Sequence, residues 1–266
     1  MKNKIKMLLK NSKLFMWGYN VLFMYGYKKY MNRDRQIYTK NKKLFENETG
    51  IEIGGPSPVF SEEGPIPFYK IVKRLDNNNY RDKTFWGKID EGENFQFNKN
   101  KPNGKQFIAD ATDLSIISDN FYDFILASHI IEHIANPIKA LYEWKRIIKP
   151  GGYIAIIAPH MQYTFDRRRP LTNLDHIIND YKHNTQESDN THFKEVIDLH
   201  DVPNDSTVAS YEDHVKRTLD NINTRIVHQH TFDMNLLIEL LNYCDFKIID
   251  AQFFKPYHIM VIAQKR

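Results

Sequence analysis

Three carboxylates and one glycine turn are placed so that they could bind a single small polar molecule. Glu52 precedes the turn Gly54-Gly55, and Asp76 and Asp110 each follow a segment that we predict to be a strand. A carboxylate accepts hydrogen bonds through two oxygens, so it can hold both hydroxyls of a ribose or an exocyclic amine. Ligands of open parallel sheets bind outside the carboxyl ends of the strands, and glycines let them approach the backbone. We therefore expect all three acids to reach one crevice, although each acid taken alone also fits a loop end.

A second group of reactive side chains lies between residues 160 and 230, in a polar stretch that contains Asp166 and then three arginines. Three interpretations are open: a solvated polar insertion, a substrate lid with a histidine base and an arginine clamp for an anion, or a divalent metal site. Because no His-Glu-x-x-His spacing is present, the metal site ranks last and we assign no metal ligands. The residues that we assign to acceptor binding are Arg167, Arg168, Arg169, His176 and His228.

Three histidines are candidates for a general base. His160 directly follows a predicted strand, so it should lie at the carboxyl edge of the sheet where an acceptor would sit. Histidine is the usual base near neutral pH because its ordinary pKa lies there. His129 follows an earlier strand, and His230 alternates with His228, so both would face one side of an extended segment. We expect His160 to be the base, with His129 and His230 as rivals.

The elements that must position these residues alternate between short apolar runs and helical patterns, which indicates an α/β sheet. An amphipathic helix is predicted over 137–148 and another over 233–243. The last two strands are separated by a short turn, so they should pair antiparallel. The predicted strands are 50–54, 69–72, 105–109, 122–127, 153–158, 246–253 and 257–263.

Four stretches resemble the class I S-adenosylmethionine-dependent methyltransferases: 107–114, 120–126, 131–137 and 148–153. The resemblance runs from about residue 50 to 159 and resumes over 233–263. It implies a Rossmann-like sheet of seven mostly parallel strands with the last strand antiparallel, and S-adenosylmethionine as cofactor. The residue pattern itself predicts N-terminal helices and a mostly helical insertion after strand 5. We divide the chain accordingly into an N-terminal helical extension (1–45), a methyltransferase core (46–159 and 231–266) and an inserted lid (160–230).

The resemblance also implies roles for individual residues. The glycine turn and the acid before it would contact the methionine part of the cofactor, Asp76 would take the ribose hydroxyls, and Asp110 would face the adenine. The turn departs from the family pattern, because it has two adjacent glycines followed by prolines instead of three alternating glycines. The residues expected to contact the cofactor are Glu52, Gly54, Gly55, Asp76, Asp110, Ala111, Ser128 and His129.

The acceptor is predicted from two further comparisons with methyltransferases. The segment 128–131 lacks the Asn/Asp-Pro-Pro-aromatic signature of enzymes that methylate exocyclic nitrogens, which favours an oxygen acceptor. The insertion is similar to those of methyltransferases associated with surface-polysaccharide modification. We therefore expect O-methylation of a small polar or anionic acceptor, such as a sugar, a glycan precursor or a phosphate-type group, in polysaccharide biosynthesis.

Composition limits the other classes of function. The chain has 266 residues with a net charge of +4, which is too mild for a dedicated nucleic-acid binder, so we expect a small-molecule partner. The single cysteine, Cys244, excludes an intramolecular disulfide framework and predicts a cytoplasmic setting. The basic N-terminus contains an apolar run at 14–27, shorter than the roughly 20 residues that span a bilayer. It would either pack on the domain or touch an anionic membrane surface.

Three alternatives remain at this stage. One is methylation of nucleic acid or protein, with the basic N-terminus as the docking surface. Another is a metal-dependent enzyme organised by the histidines of the insertion. The third is a scaffold that binds the cofactor but is inactive.

Overall fold

The computed structural model describes residues 35–84 and 87–266, and in this part of the chain one large sheet dominates. Most of the extension predicted at 1–45, including the run at 14–27, lies outside the described residues. A two-stranded hairpin, β3 (Lys83–Thr84) and β4 (Gly87–Lys88), is separate from the large sheet. The large sheet consists of β1 (Thr49–Ile53), β2 (Arg74–Asn79), β5 (Gly92–Phe95), β6 (Gly104–Ile108), β7 (Tyr122–Ser128), β8 (Ile148–Pro159), β9 (Phe246–Phe254) and β10 (His258–Lys265).

The strand order of the large sheet is β5-β6-β2-β1-β7-β8-β10-β9. The five strands from β6 to β8 run parallel, and the last strand, β10, is antiparallel to both of its neighbours. This arrangement confirms the predicted α/β class, the mostly parallel sheet and the antiparallel last strand. The sheet has eight strands instead of the predicted seven because β5 adds an antiparallel edge strand beside β6.

The central strands are apolar on both faces because the sheet lies between two hydrophobic layers. One layer includes Trp144, and the other includes Phe45 and Phe68. The helices of the described chain are α1 (Gln36–Asn41), α2 (Phe68–Ile71), α3 (Pro137–Ile147), α4 (Leu174–Lys182), α5 (Phe193–Leu199), α6 (Tyr211–Leu219), α7 (Asn221–Thr224) and α8 (Met234–Tyr243). None of the described helices has the length and apolar character needed to cross a bilayer.

The sequence prediction was wrong about the second strand. The apolar run at 69–72 lies mostly in the short helix α2, and the strand is the polar sequence Arg74–Asn79. This strand can be buried because its amides are satisfied: Asn77 Nδ2 donates to the Gly55 carbonyl at 3.0 Å and to Gln106 Oε1 at 2.8 Å. Buried polar groups are tolerated when they are hydrogen-bonded, and no hydrophobic pattern marks such a strand in advance.

The chain between β8 and α8 contains the four helices α4 to α7, but they cover less than half of it, so the prediction of a mostly helical insertion is only partly right. It is attached to the core through buried polar contacts as well as apolar ones. Arg169, whose side chain is 1% exposed, donates to the His228 carbonyl at 2.8 Å. Thr172 N donates to Thr231 Oγ1 at 2.9 Å, and Thr231 N donates in return to Thr172 Oγ1 at 3.0 Å. These bonds fix the start of the insertion beside the segment that leads back into the core.

Candidate active site

A cavity of about 280 Å³ lies between the carboxyl edge of the sheet and the insertion. The core contributes residues from the ends of β1, β2, β6 and β7, and the insertion closes the opposite side. Core residues on its wall include Gly54, Asn78, Tyr80, Asp110, Ala111 and His129. Insertion residues on its wall include Phe165, Asp166, His200, Asp205, Arg225 and His228.

The glycine turn forms one wall of this cavity through its first glycine. Gly54 has a φ of +77°, and a Cβ there would lie 2.1 Å from Cδ1 of Ile130, which also lines the cavity. The backbone NH of Gly54 donates to the Asn78 carbonyl at 2.8 Å, which holds the turn against the end of β2. A side chain at this position would therefore push Ile130 and narrow the cavity.

Glu52 and Gly55 lie behind the wall and are not brought to the cavity surface. Glu52 is fully buried; its Oε1 accepts from Ser57 N at 3.0 Å and its Oε2 accepts from the Tyr69 hydroxyl. Burial raises the pKa of Glu52 to about 7, although these hydrogen bonds oppose the shift. A Cβ on Gly55 would lie 2.4 Å from the Glu52 carboxyl carbon, so the turn packs directly on this acid. Glu52 therefore packs against the glycine turn on the side away from the cavity, and it does not make the predicted contact with the cofactor.

Asp76 is at the wrong end of the sheet for the predicted ribose contact. It lies three residues before the end of β2, because the strand begins later than predicted. Its Oδ2 accepts from the hydroxyl of Tyr122, the first residue of β7, at 2.7 Å, and its Oδ1 accepts from Lys105 N at 2.8 Å. Asn78 and Asn79 occupy the carboxyl end of β2 on the cavity wall instead. No feature of the sequence indicates this position of Asp76, because the prediction depended on a strand boundary that was wrong.

Asp110 reaches the cavity, as does Ala111, and an arginine from the insertion holds the Asp110 carboxylate. Asp110 Oδ2 is 3.1 Å from Arg225 Nη2, and Arg225 Nη1 is 3.0 Å from Glu187 Oε2. The Arg225 guanidinium also lies 5.1 Å from the centre of the Tyr80 ring. Arg225 thus connects the insertion to the ends of two core strands across the mouth of the cavity. Sequence reasoning missed both Tyr80 and Arg225.

Of the two residues predicted at the end of β7, His129 lies on the cavity wall and Ser128 is buried behind it. His129 Nε2 shares a hydrogen bond of 2.9 Å with His258 Nδ1, and His129 Nδ1 is 3.4 Å from Glu132 Oε1. Burial first, and then the His129 ring, hold the pKa of His258 well below its usual value. Since both nitrogens of His129 have protein partners, its ring is fixed and is a weaker candidate for proton transfer to a substrate.

His228 forms the strongest candidate for a base, together with Asp166. His228 Nδ1 is 2.5 Å from Asp166 Oδ2, and Arg169 Nη1 donates to the other oxygen of Asp166 at 3.0 Å. In the described part of the chain, Nε2 of His228 makes no hydrogen bond, and the residue lines the cavity. Burial lowers the pKa of His228, but the Asp166 carboxylate outweighs it and raises the pKa above the usual value. This is the arrangement of a histidine base oriented by a carboxylate.

The other two histidines predicted as bases are not at the cavity. His160 Nδ1 accepts from Gln162 N at 3.3 Å, and its ring packs against Tyr163 and Phe253. It lies away from the wall because β8 extends to residue 159, beside β10, and carries His160 beyond the crevice. His230 is 1% exposed, and its Nε2 is 3.0 Å from Asp180 Oδ2. Neither histidine lies on the cavity wall, so neither fits the predicted role of general base.

The three consecutive arginines do not form the predicted anion clamp. Arg167 Nη2 and Arg168 Nη2 lie 2.5 and 2.8 Å from the two oxygens of Asp201, a carboxylate that is 1% exposed. Arg169 is buried, and its Nε bonds to Glu195 Oε1 at 2.7 Å in addition to its bond to Asp166. Buried charges must be paired, so these arginines neutralise the acids of the insertion.

His176, the remaining residue predicted to bind the acceptor, also lies away from the cavity wall. It packs against His192 and His230, with ring centroids 4.9 and 5.6 Å away. Of the five residues assigned to acceptor binding, only His228 lies on the cavity wall.

Comparison with known proteins identifies a methyltransferase domain at residues 89–156, about a quarter of the chain, which includes β5 to β7, α3 and most of β8. Curated proteins yield no match to this chain.

Similar solved structures include S-adenosylmethionine-dependent methyltransferases from three organisms. That of Aquifex aeolicus is 14% identical, with 86% of this chain and 89% of that chain covered and a TM-score of 0.47. That of Mesorhizobium loti is 11% identical, with coverage of 85% and 96% and a TM-score of 0.46. That of Methanosarcina mazei is 14% identical, with coverage of 85% and 96% and a TM-score of 0.45.

Proposed function

We propose that this chain, which belongs to the class I S-adenosylmethionine-dependent methyltransferases, methylates a hydroxyl group of a small polar acceptor with His228 as the general base. The family rests on the match to a methyltransferase domain, and the sheet order and the cavity at the carboxyl edge agree with it. The choice of a hydroxyl rests on a single observation, the Asp166–His228 pair on the cavity wall.

The residues on the core side of the cavity fit the cofactor. Gly54 leaves space that a Cβ would fill by displacing Ile130, and Asp110 offers carboxylate oxygens for an amine or hydroxyl. Asn78 lies near the end of β2, where the family pattern has an acid. Its neutral amide would hold the ribose hydroxyls in place of a carboxylate. When bound, S-adenosylmethionine supplies a methyl group on a sulfonium, which needs no further activation.

His228 removes the proton that the acceptor must lose. An alcohol is a poor nucleophile until its proton is transferred, and a positioned base contributes about 10²- to 10⁴-fold to the rate. The proton passes from the acceptor oxygen to Nε2 of His228, and the Asp166 carboxylate stabilises the resulting imidazolium through Nδ1–H. The His228 imidazolium and the Arg169 guanidinium outweigh the effect of burial and hold the pKa of Asp166 well below its usual range, so this carboxylate remains ionised.

The insertion side of the cavity favours a sugar-like acceptor. Phe165 presents an aromatic ring beside His200 and His228, and His200 Nε2 is 3.0 Å from Asp205 Oδ2. An aromatic ring among polar side chains on the cavity wall suits a pyranose, which has one apolar face and a rim of hydroxyl groups. Because Arg167, Arg168 and Arg169 are paired within the insertion, a phosphate-type acceptor loses its main support.

The closure of the cavity supports the same class of acceptor. The insertion covers the cavity opposite the core, which favours one sugar residue or the end of a glycan over a folded macromolecule. Modification of a polysaccharide precursor in the cytoplasm is therefore part of this proposal.

The proposal is tested by measuring S-adenosylhomocysteine release with free sugars, nucleotide-linked sugars, short glycans, RNA and protein as acceptors. With the best acceptor, we expect His228→Gln to lose about 10²- to 10⁴-fold in rate while calorimetry shows unchanged binding of S-adenosylmethionine. The exposed His183→Gln is the control and should retain the wild-type rate. Methylation on a nitrogen, identified by mass spectrometry of the product, would contradict the proposal. So would a larger loss in His129→Gln than in His228→Gln, or turnover of RNA or protein alone.

A further inference from the structure

We propose that His176, His192 and His230 form a binding site for one divalent transition-metal ion, and that zinc is the ion that fits best. The site lies inside the insertion, away from the cavity wall. It is independent of the acceptor and of the role of His228.

The side-chain atoms of this histidine cluster converge on one point. His176 Nε2 is 3.0 Å from His192 Nε2 and 3.3 Å from Asp180 Oδ2. His230 Nε2 is 3.0 Å from the same carboxylate oxygen. One ligand atom from each of the three histidines lies within 4.8 Å of the others. Three nitrogens therefore surround a small volume, and the Asp180 carboxylate contacts two of the three histidines.

The three nitrogens can reach the spacing of a zinc site. With bonds of about 2.0–2.1 Å to zinc, the ligand atoms of a tetrahedron are about 3.3–3.4 Å apart. His176 Nε2 and His192 Nε2 are 3.0 Å apart, and all three histidine atoms lie within 4.8 Å of one another, so side-chain rotations would accommodate the ion. Imidazole is a ligand that zinc accepts, and the Asp180 carboxylate, which contacts His176 and His230, is the nearest group that could complete a fourth position.

The ligands are held in place by their own neighbours. His176 and Asp180 lie one turn apart on α4, and Asn173, which caps the start of this helix, accepts a hydrogen bond of 2.9 Å from His176 N through its Oδ1. Thr185 Oγ1 donates to Asp180 Oδ1 at 3.1 Å, which turns the other oxygen, Oδ2, toward the histidines. Such supporting bonds orient metal ligands, and their loss typically lowers metal affinity by about 10- to 100-fold.

The cluster joins three separate parts of the insertion. His176 and Asp180 belong to α4, His192 directly precedes α5, and His230 lies on the segment that returns to the core. The backbone of His230 donates to the carbonyl of Glu132 at 3.2 Å, which attaches this segment to the core. A metal ion here would fix the insertion and the segment that carries His228, two residues before His230.

A second group that could hold a metal, formed by Glu132, His133 and His228, fits less well. His133 Nε2 is 3.9 Å from Glu132 Oε1, and Nδ1 of His228 is already bonded to Asp166. The experiment therefore includes a variant in each group.

Metal content is measured on the full chain, purified without a polyhistidine tag, by elemental analysis after dialysis and again after stripping and titration with Zn²⁺ or Co²⁺. We expect about one ion per chain, and visible absorption bands of four-coordinate cobalt. His176→Gln and His192→Gln should weaken Zn²⁺ binding at least as much as the roughly 10- to 100-fold caused by changes around a metal site. His176 is partly exposed, so its variant should fold, and circular dichroism checks this. The matched control is His183→Gln, next to the end of α4, which should bind Zn²⁺ as the wild type does.

Zn²⁺ should also raise the Tm of the wild type but not that of the folded His176→Gln variant, because an ion that binds only the native state stabilises it. No bound metal after titration, or equal Zn²⁺ binding by His176→Gln and the wild type, would overturn the proposal. Loss of the ion in His228→Gln with retention in His176→Gln would also overturn it and assign the ion to the second group. None of these readouts requires methyl transfer, so the result stands apart from the test of the acceptor.

Discussion

The two sides of the cavity are built by different physical means. On the core side, parallel strands end at one edge, and residues such as Gly54 and Asp110 reach the cavity because of where their strands stop. On the insertion side, position is set by pairs of charged residues that are distant in the chain, such as Asp166 and His228. If the proposed function holds, main-chain geometry would place the cofactor, whereas buried ion pairs would place the groups that meet the acceptor.

The insertion needs these ion pairs because it buries many charges. Asp166, Arg169 and Asp201 are each less than 5% exposed. An unpaired buried charge is strongly destabilising, so removing one partner of a pair affects folding and function together. Experiments that separate the two sides of the cavity must therefore measure stability alongside activity.

The largest effect is expected on the insertion side, for Asp166→Asn. An amide cannot stabilise the imidazolium of His228, so we expect a loss of about 10²-fold or more in methyl transfer. The sign of the pH effect follows from the pair. Asp166 raises the pKa of His228, and a base is active when deprotonated, so the acidic limb of the rate profile should move to lower pH in the variant.

The pH profile of methyl transfer, together with the free energy of unfolding, checks this prediction. Asp198→Asn is the control, since Asp198 is an exposed acid on the same insertion whose partner is Lys194. An acidic limb that stays in place in Asp166→Asn would show that His228 does not titrate in the reaction.

A smaller effect is expected on the core side, for Gly54→Ala. Gly54 and Gly151 have nearly the same φ, +77° and +78°, so the backbone strain of an alanine at either position should cost about 1–2 kcal/mol in stability. Only at Gly54 does the new Cβ meet Ile130 on the cavity wall. We expect binding of S-adenosylmethionine to weaken about 10-fold in Gly54→Ala, equivalent to about 1.4 kcal/mol, and to be unchanged in Gly151→Ala. Calorimetry with the cofactor measures both, and equal affinities of the two variants would remove the turn from the cofactor site.

The sequence predicted the core side better than the insertion side for a physical reason. Apolar periodicity marks β1, β7 and β8, and the short turn before the last strand implies antiparallel pairing, so the sheet could be inferred. The pattern failed at β2, because its buried asparagines are stabilised by hydrogen bonds that a hydrophobicity pattern does not reveal.

The site was predicted least well where partners are far apart in the chain. Asp166 and His228 are separated by 62 residues, and nothing local to either residue indicates the pair. Single positions such as Asp110 and His129 could be predicted because they directly follow strands. The ligands of the histidine cluster, spread from residue 176 to residue 230, have no spacing that a motif would capture.

The smallest effect on cofactor binding is expected for Asp76→Asn. This variant is informative when it is compared with Asn78→Ala on the same strand. Asp76 accepts from Tyr122 and Lys105 at the amino edge of the sheet, while Asn78 lies on the cavity wall. Residues two apart share a face of a strand, so the two variants differ chiefly in their distance along it. Asp76→Asn should lower the free energy of unfolding by about 1–3 kcal/mol, because the charged acceptor of hydrogen bonds from Tyr122, Lys105 and Arg74 is lost. Its affinity for S-adenosylmethionine should equal that of the wild type, whereas Asn78→Ala should bind the cofactor more weakly. If calorimetry finds the reverse order, the carboxyl edge of the sheet is not where the ribose is held.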